Sequence, residues 1–382
     1  MPFSHPAPRL GLVAFALVLL PATARGQTPW EYDHDVRVSY EFDDNVREES
    51  IDPVRAQVAR LAYSGDLLWG AAGEQRLTLS YQGGLKRHFG VAGDALAEEG
   101  QLDVTNQFVN EGRVGYLRRV TDIIAVGATA GLKNRKWMDG FFFINEDGFT
   151  KLSAGVNASV TLAPLALGRP ARLDVGGRWS SIDFENLDQA FGNDSRGGYA
   201  SLSKPFGDDV AATGSYTYDR IHYPGRGVLT PLDTDPANIL RGVTRDRQED
   251  HQHVLGVEVT RLGDFAVQAE YNFLYNVSNS FGFTYVSHNF GVQFLRRLPW
   301  ELTAQVYGQI QLRSFAEPVP NFTGGSLDVG EADSNVLLLR LVKDVTPDYA
   351  VEVRYGRYRN ESITLNDFFT KNIYAVGVTY RP

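Results

Sequence analysis

From residue 32 to the end of the sequence, apolar side chains alternate with polar or small ones in segments of about ten residues. The last segment has an aromatic and aliphatic face made of Tyr374, Val376, Val378 and Tyr380. A period of two is the side-chain period of a β-strand with one apolar and one polar face. No stretch beyond residue 31 has the period of an amphipathic helix. The sequence therefore predicts an all-β protein built from antiparallel strands.

The segments number about sixteen, with fourteen to eighteen possible, and the weakest are the second (52–63) and the eighth (196–204). Alternation alone would also suit a soluble sandwich or propeller. The connections, however, alternate in length. Short turns are expected at 120–122, 207–209, 263–264, 298–300 and 346–348. Long polar loops are expected at 87–101, 134–148, 223–250 and 315–331. Long loops confined to one end are typical of a transmembrane antiparallel up-and-down β-barrel.

The N-terminus has the pattern of a secretory signal peptide. An apolar run from Leu10 to Leu20 is too short to span a bilayer, and small residues precede a cleavage position after Gly26. A core helix is the alternative. We expect residues 1–26 to be the signal peptide and residues 27–382 the barrel. The chain has no cysteine, so the mature protein cannot carry a lipoprotein anchor.

Aromatic side chains near strand ends indicate the interfacial girdles of a membrane barrel. The six tyrosines expected there are Tyr271, Tyr275, Tyr349, Tyr355, Tyr374 and Tyr380. The final strand also resembles the C-terminal signal that the barrel-assembly machinery recognises, although Arg381 and Pro382 follow its last aromatic residue. The expected location is the bacterial outer membrane, in contact with its lipid and lipopolysaccharide. A mean hydropathy of −0.24 is compatible with this, because alternation hides the apolar face in bulk composition.

A barrel of sixteen strands is wide enough for an aqueous lumen. The basic side chains expected on its inward face are Arg37, Arg76, Lys86, Arg113, Lys133, Arg135, Lys151, Arg172, Arg178, Arg313, Arg340 and Arg354. The acidic ones are Glu41, Glu111, Asp174, Glu258, Glu270 and Glu352. This excess of bases predicts a lumen that favours anionic or sugar-like polar solutes. The alternative is that these charges form ion pairs across neighbouring strands.

Other functional classes have little support. A formal net charge of −9 disfavours nucleic-acid binding. His251 and His253 share a strand face and could hold a metal, but alternation also explains the pair. The segment Asp43–Asn45 could bind calcium, although an Asx turn is the simpler interpretation. With no Ser–His–acid set and no phosphate loop, we expect neither enzymatic activity nor a cofactor or resident metal.

Residues 39–47, Ser-Tyr-Glu-Phe-Asp-Asp-Asn-Val-Arg, resemble the opening of β-barrel porins found with exopolysaccharide-export operons. The resemblance is specific over about these ten residues and otherwise extends to length and strand rhythm. It implies an outer-membrane conduit for a secreted polysaccharide that works with periplasmic export components. It transfers no functional residues, because the shared motif is structural.

Three functions remain open at this point. The first is a channel that passes polysaccharide or other polar and anionic solutes, and the second is a general diffusion porin. The third is a non-conducting barrel that anchors or organises envelope components through its extracellular loops.

Overall fold

A computed structural model describes residues 30–45, 53, 55–70, 75–92, 107–137, 148–163, 169–184, 192–231, 241–316, 334–360 and 369–382. These residues form sixteen β-strands, each paired antiparallel with its sequence neighbours. The pairing of β1 with β16 closes the sheet into a barrel. The predicted all-β up-and-down barrel and its strand number are therefore confirmed. No helix in the described part of the chain is long and apolar enough to cross a membrane.

The first eight strands are β1 (Trp30–Asp43), β2 (Arg55–Trp69), β3 (Gln75–Ala92), β4 (Gln107–Arg119), β5 (Ile124–Trp137), β6 (Phe149–Leu162), β7 (Ala171–Phe184) and β8 (Asn193–Phe206). The remaining strands are β9 (Val210–Pro231), β10 (Arg241–Arg261), β11 (Phe265–Ser278), β12 (Tyr285–Leu298), β13 (Leu302–Phe315), β14 (Ser334–Asp344), β15 (Tyr349–Asn360) and β16 (Phe369–Tyr380).

The alternation in the sequence gives the sheet two different faces. In β1, Val38 and Tyr40 are 56% and 49% exposed, whereas Glu41 between two outward neighbours is 1% exposed. The face that carries Glu41 is the inward one, because side chains of that face on strands β4 to β10 line a common cavity of about 960 Å³. An apolar outer face and a polar inner face are the arrangement that a membrane barrel requires.

Connections at the two ends of the barrel differ as the sequence predicted. At one end, β8 and β9 are joined by residues 207–209, β12 and β13 by 299–301, and β14 and β15 by 345–348. Gly207 adopts a φ of 79°, a left-handed conformation that favours glycine in so tight a turn. Both the first described strand and the last strand start or end at this short-turn end.

Several sequence predictions about strand boundaries need correction. Residues 87–92 and 134–137, both expected in long loops, belong to strands β3 and β5. The loop expected over 223–250 is wrong in its limits, because 223–231 and 241–250 continue strands β9 and β10 as a paired hairpin. The polar, proline-containing sequence hid this, because it lacks a regular alternation of apolar and polar residues. The second strand lies later than 52–63, because Pro53 cannot donate to a sheet and β2 begins at Arg55. The predicted signal peptide lies outside the described residues.

The β9–β10 hairpin is braced by the connection between β11 and β12. The Leu229 N–H donates to Ser280 Oγ (2.9 Å), and the Phe281 N–H donates to the Leu229 carbonyl (3.0 Å). Beneath this connection Arg226 lies over the Tyr223 ring, with 4.7 Å from its guanidinium carbon to the ring centroid. Burial raises the pKa of the Tyr223 hydroxyl. The part of the β9–β10 hairpin at the long-loop end is thus packed against neighbouring residues.

Candidate functional site: the inward face of the barrel

The strand register places every charged residue predicted to line the lumen on the inward face. The bases are Arg37, Arg76, Lys86, Arg113, Lys133, Arg135, Lys151, Arg172, Arg178, Arg313, Arg340 and Arg354, and the acids are Glu41, Glu111, Asp174, Glu258, Glu270 and Glu352. The structure divides them among three sectors of the wall. Each sector has its own chemistry.

The first sector is an ion-pair cluster around the closure of the barrel. Glu352 on β15 accepts a hydrogen bond from Arg340 Nε on β14 (2.8 Å). Glu41 on β1 binds Arg354 on β15 (2.5 Å) and Arg60 on β2 (2.9 Å). The two carboxylates are 3% and 1% exposed, so these ion pairs are shielded from water on the acidic side.

The bond between Glu41 and Arg354 passes over an entire strand, because β16 lies between β1 and β15. Ala375, the β16 residue opposite both, is small enough for the guanidinium to cross. Gly377 likewise leaves room for the Glu352 side chain, since a Cβ at Gly377 would lie 3.3 Å from Glu352 Cγ. Small residues on β16 therefore permit side chains to link β15 to β1 across the closing strand.

A second crossing of this kind joins β7 to β9. Arg178 Nε donates to Asp219 Oδ1 (2.9 Å), and a second guanidinium nitrogen binds the other carboxylate oxygen. Gly197 of the intervening strand β8 lies opposite both residues. A bidentate pair of this type fixes the direction of the arginine along the wall.

Bases dominate the second sector, which runs from β3 to β7. Its basic side chains are Arg76, Lys86, Arg113, Arg119, Lys133, Arg135, Lys151, Arg172 and Arg178. Its inward carboxylates are Glu111 and Asp174, which pair with Arg113 and Arg172. Lys133 and Lys151 lie directly opposite each other on β5 and β6. Like charges in register raise the positive potential of the adjacent water.

The third sector, from β9 to β13, carries acids and side-chain amides. Glu258 and Glu270 lie directly opposite each other on β10 and β11. Asn272, Asn289 and Gln311 form a row of amides in register across β11, β12 and β13. Further inward amides are Gln252, Gln268, Gln293, Gln305 and Gln309.

A cavity of about 310 Å³ lies against this amide wall. Its lining includes Gln252, Glu270, Asn272, Asn289, Gln309, Gln311 and Arg313. Each amide offers two N–H donors and a carbonyl acceptor, and the carboxylate adds acceptors only. Such a surface matches ligands rich in hydroxyl groups, which both donate and accept hydrogen bonds.

The structure corrects the predicted excess of inward bases. The register adds Arg60, Arg119, Arg297 and Lys371 to the basic set. It also adds inward acids in greater number, namely Glu31, Asp33, Asp35, Asp43, Asp66, Asp219, Asp250 and Asp344. The described wall is therefore nearly balanced in charge but segregated by sector. Most of these acids lie near strand ends, and alternation assigns no face to a strand end whose limit the sequence does not define.

The six predicted girdle tyrosines all lie on the outward face. Tyr349 and Tyr380 are at the ends of their strands, with ring centroids 4.9 Å apart. Tyr271, Tyr355 and Tyr374 instead lie in the middle of β11, β15 and β16. Internal partners explain two of these positions, since the Tyr355 hydroxyl donates to Asn372 Oδ1 (2.9 Å) and the Tyr271 hydroxyl bonds His288 Nδ1 (2.9 Å). Tyr275 lies near the long-loop end.

The candidate metal positions have other partners. His251 and His253 point outward, where their Nδ1 atoms bond the hydroxyls of Tyr218 (2.7 Å) and Tyr216 (2.8 Å). The Asn45 N–H donates to Asp43 Oδ1 (3.1 Å), which is an Asx turn. Lys371 binds the other Asp43 oxygen (3.1 Å). In the described ranges no group of three His, Asp or Glu side chains could hold a metal ion.

No family model and no curated protein matches the chain. Among solved structures, CdiB from Acinetobacter baumannii is similar with a TM-score of 0.47 at 9% identity, covering 91% of this chain and 60% of CdiB. Outer-membrane expressed OmpT of Vibrio cholerae gives 0.45 at 10% identity, with 94% and 99% covered. The outer membrane protein OpdK from Pseudomonas aeruginosa gives 0.43 at 11%, with 92% and 99% covered. The chain thus spans less than two thirds of CdiB, and with all three TM-scores below 0.5 we draw nothing about this chain from them.

Proposed function

We propose that this chain spans a bacterial outer membrane and conducts polar solutes, polysaccharide chains among them, through its lumen. The observation that carries the proposal is the closed barrel with an aliphatic outward face and a charged and amide-lined inward face. A sixteen-stranded barrel is wide enough for water and extended solutes. The short turns would then face the periplasm and the β9–β10 hairpin the exterior.

The amide wall supports a hydroxyl-rich cargo. Asn272, Asn289 and Gln311 lie along one level of three adjacent strands. Asn272 and Asn289 are part-exposed amides, and Gln311 beside them is buried and donates to Ser287 Oγ (3.2 Å). A sugar polymer could exchange hydrogen bonds from one amide to the next, so that each contact is weak and release is fast. The resemblance of residues 39–47 to exopolysaccharide-associated porins supports the same class of cargo. The basic sector across the lumen would accommodate acidic groups on the polymer.

Conductance in planar bilayers tests the channel itself. Purified protein, refolded in detergent, is expected to insert and give stable open-channel currents in potassium chloride. Insertion without current would contradict the proposal. It would favour instead a barrel that acts through its exterior, for which the braced β9–β10 hairpin is the specific supporting observation.

Current block by oligosaccharides tests the cargo. Maltohexaose serves as the neutral probe and a hexamer of galacturonic acid as the acidic one. Replacing Asn272, Asn289 and Gln311 together with alanine is expected to weaken block by maltohexaose at least tenfold, since several hydrogen bonds of about 1 kcal/mol each are lost. The matched control is Asn157→Ala, an inward amide on β6 outside the amide wall. Equal block of wild type and triple variant would remove the amide wall from the proposal.

A further inference from the structure

At the junction of β1 with β16, part of β1 pairs on one side with no other described residue. Trp30–Asp35 pairs with β2 over its whole length, but the register with β16 begins only at Val36, opposite Tyr380. Six consecutive residues therefore present an open strand edge at the short-turn end. Elsewhere at this end of the described barrel, unpaired strand edges are three residues or shorter, as at β8, where 204–206 lie beyond the last pair with β7.

The end of β16 does not fill this space. The Arg381 N–H donates to the Asp348 carbonyl (2.7 Å), which belongs to the β14–β15 turn on the side away from β1. The Arg381 guanidinium also lies 3.7 Å from Asp344 on β14. Both contacts hold the last described residues toward β14 and β15. Neither of these contacts covers the β1 edge in the described part of the chain.

Side-chain contacts with β2 hold the open edge in place. The hydroxyls of Tyr32 and Tyr63 are 2.6 Å apart, and the rings of Trp30 and Trp69 have centroids 6.0 Å apart. Ser64 of β2 donates a hydrogen bond to the Asp35 carboxylate. An ordered strand edge presents its free N–H and C=O groups without further loss of chain entropy, which favours addition of another strand.

The two faces of the edge differ in chemistry. Trp30, Tyr32 and His34 lie on the outward face, and Trp30 and Tyr32 are 44% and 49% exposed. Glu31, Asp33 and Asp35 lie on the inward face, and Asp66 of β2 stands directly opposite Asp33. An added strand would place every second side chain opposite these acids, where a positive charge is stabilised.

We propose that the β1 edge at Trp30–Asp35 binds an extended, basic segment of another polypeptide by strand addition. The segment would carry lysine or arginine at alternate positions, facing Glu31, Asp33 and Asp35, and apolar residues between them. A second copy of this chain does not fit, because antiparallel pairing of two such edges sets Asp33 opposite Asp33 and Glu31 opposite Asp35. The site lies outside the amide wall and is independent of the proposed transport.

The test uses the full chain in detergent micelles and three labelled seven-residue peptides, measured by fluorescence anisotropy. A Lys-Val alternating peptide is expected to bind saturably. A Glu-Val peptide is expected not to bind. A Lys-Pro peptide keeps the charge but lacks the N–H donors of alternate residues, and its affinity is expected to be at least tenfold lower.

Two variants locate the binding. Asp33→Lys is expected to lower the affinity for the Lys-Val peptide at least tenfold. Asp264→Lys, in the β10–β11 turn at the same end, is expected to leave this affinity unchanged. An affinity for the Lys-Pro peptide equal to that for the Lys-Val peptide would overturn strand addition. Equal loss in both variants would overturn the location. No binding of the Lys-Val peptide would mean that the inward acids only protect the edge from pairing, which also overturns the proposal.

Discussion

Glu352 shows how a single side chain supports the closure of the barrel. Its carboxylate is buried on the inner wall, binds Arg340 of β14 and lies 3.9 Å from Arg37 of β1. Removing one partner of a buried ion pair costs more than the pair contributes, because the remaining charge loses its solvation. The cost is reduced here, since the Arg340 side chain is 26% exposed.

We predict that Glu352→Gln lowers the free energy of unfolding by about 2–3 kcal/mol, less than for a fully buried pair. Urea unfolding in lipid vesicles, followed by tryptophan emission, measures the change. Glu258→Gln is the matched control, because Glu258 faces Glu270 and its neutralisation relieves repulsion. Equal destabilisation by both variants would show that the ion pairs at the closure have no special role.

The segregated wall charges predict opposite effects on ion selectivity. Replacing Arg113, Lys133 and Lys151 with glutamine lowers the positive potential on one side of the lumen, so the reversal potential in a salt gradient is expected to shift toward cations. Replacing Glu258 and Glu270 with glutamine is expected to shift it toward anions. Lys204→Gln, on the outward face of β8, should leave it unchanged. Shifts of the same sign in both lumen variants would contradict the assignment of the sectors.

Ion pairs that cross an intervening strand depend on a small residue in that strand, which is Ala375 for Glu41 and Arg354 and Gly197 for Arg178 and Asp219. A Cβ at Gly197 would collide with the Tyr218 carbonyl and the Asp219 carboxylate, whereas a Cβ at Gly214 of the next strand has nothing within 4 Å. We predict that Gly197→Ala lowers the free energy of unfolding by about 1–3 kcal/mol, as overpacking does. Gly214→Ala is expected to be neutral. The same urea titration compares them, and equal stability of the two variants would refute the argument.

Strand number and facing could be predicted from the sequence because both follow from local alternation. Val376 and Val378, for example, predict the outward face of their strand whichever residues of the neighbouring strands they pair with. Pairing between particular side chains could not be predicted in this way. The contacts of Glu41 with Arg354 and of Arg178 with Asp219 cross an intervening strand, so they depend on register and on a small residue between.

The amide wall illustrates the same limit. Alternating amides are visible along β13, at Gln305, Gln309 and Gln311. Their alignment with Asn289 and Asn272 requires the registers of three strands. The β9–β10 hairpin was missed for a different reason. Its sequence is polar, contains proline and lacks a regular alternation of apolar and polar residues.

The barrel as a whole can act as the proposed channel only if one face of its wall meets lipid and the other meets water. The chain has no cysteine, so each introduced cysteine is a unique probe. On β13 the inward positions include Thr303, Gln305, Gln309 and Gln311, and the outward ones include Ala304, Val306, Gly308 and Ile310. These eight positions sample both faces along most of one strand.

The most direct test is therefore labelling of these eight single-cysteine variants with a membrane-impermeant maleimide in intact outer membranes. We predict labelling that alternates with a period of two, with inward positions modified and outward positions protected. Protection of every position would contradict a water-filled lumen. Labelling of the outward positions would contradict a barrel embedded in lipid.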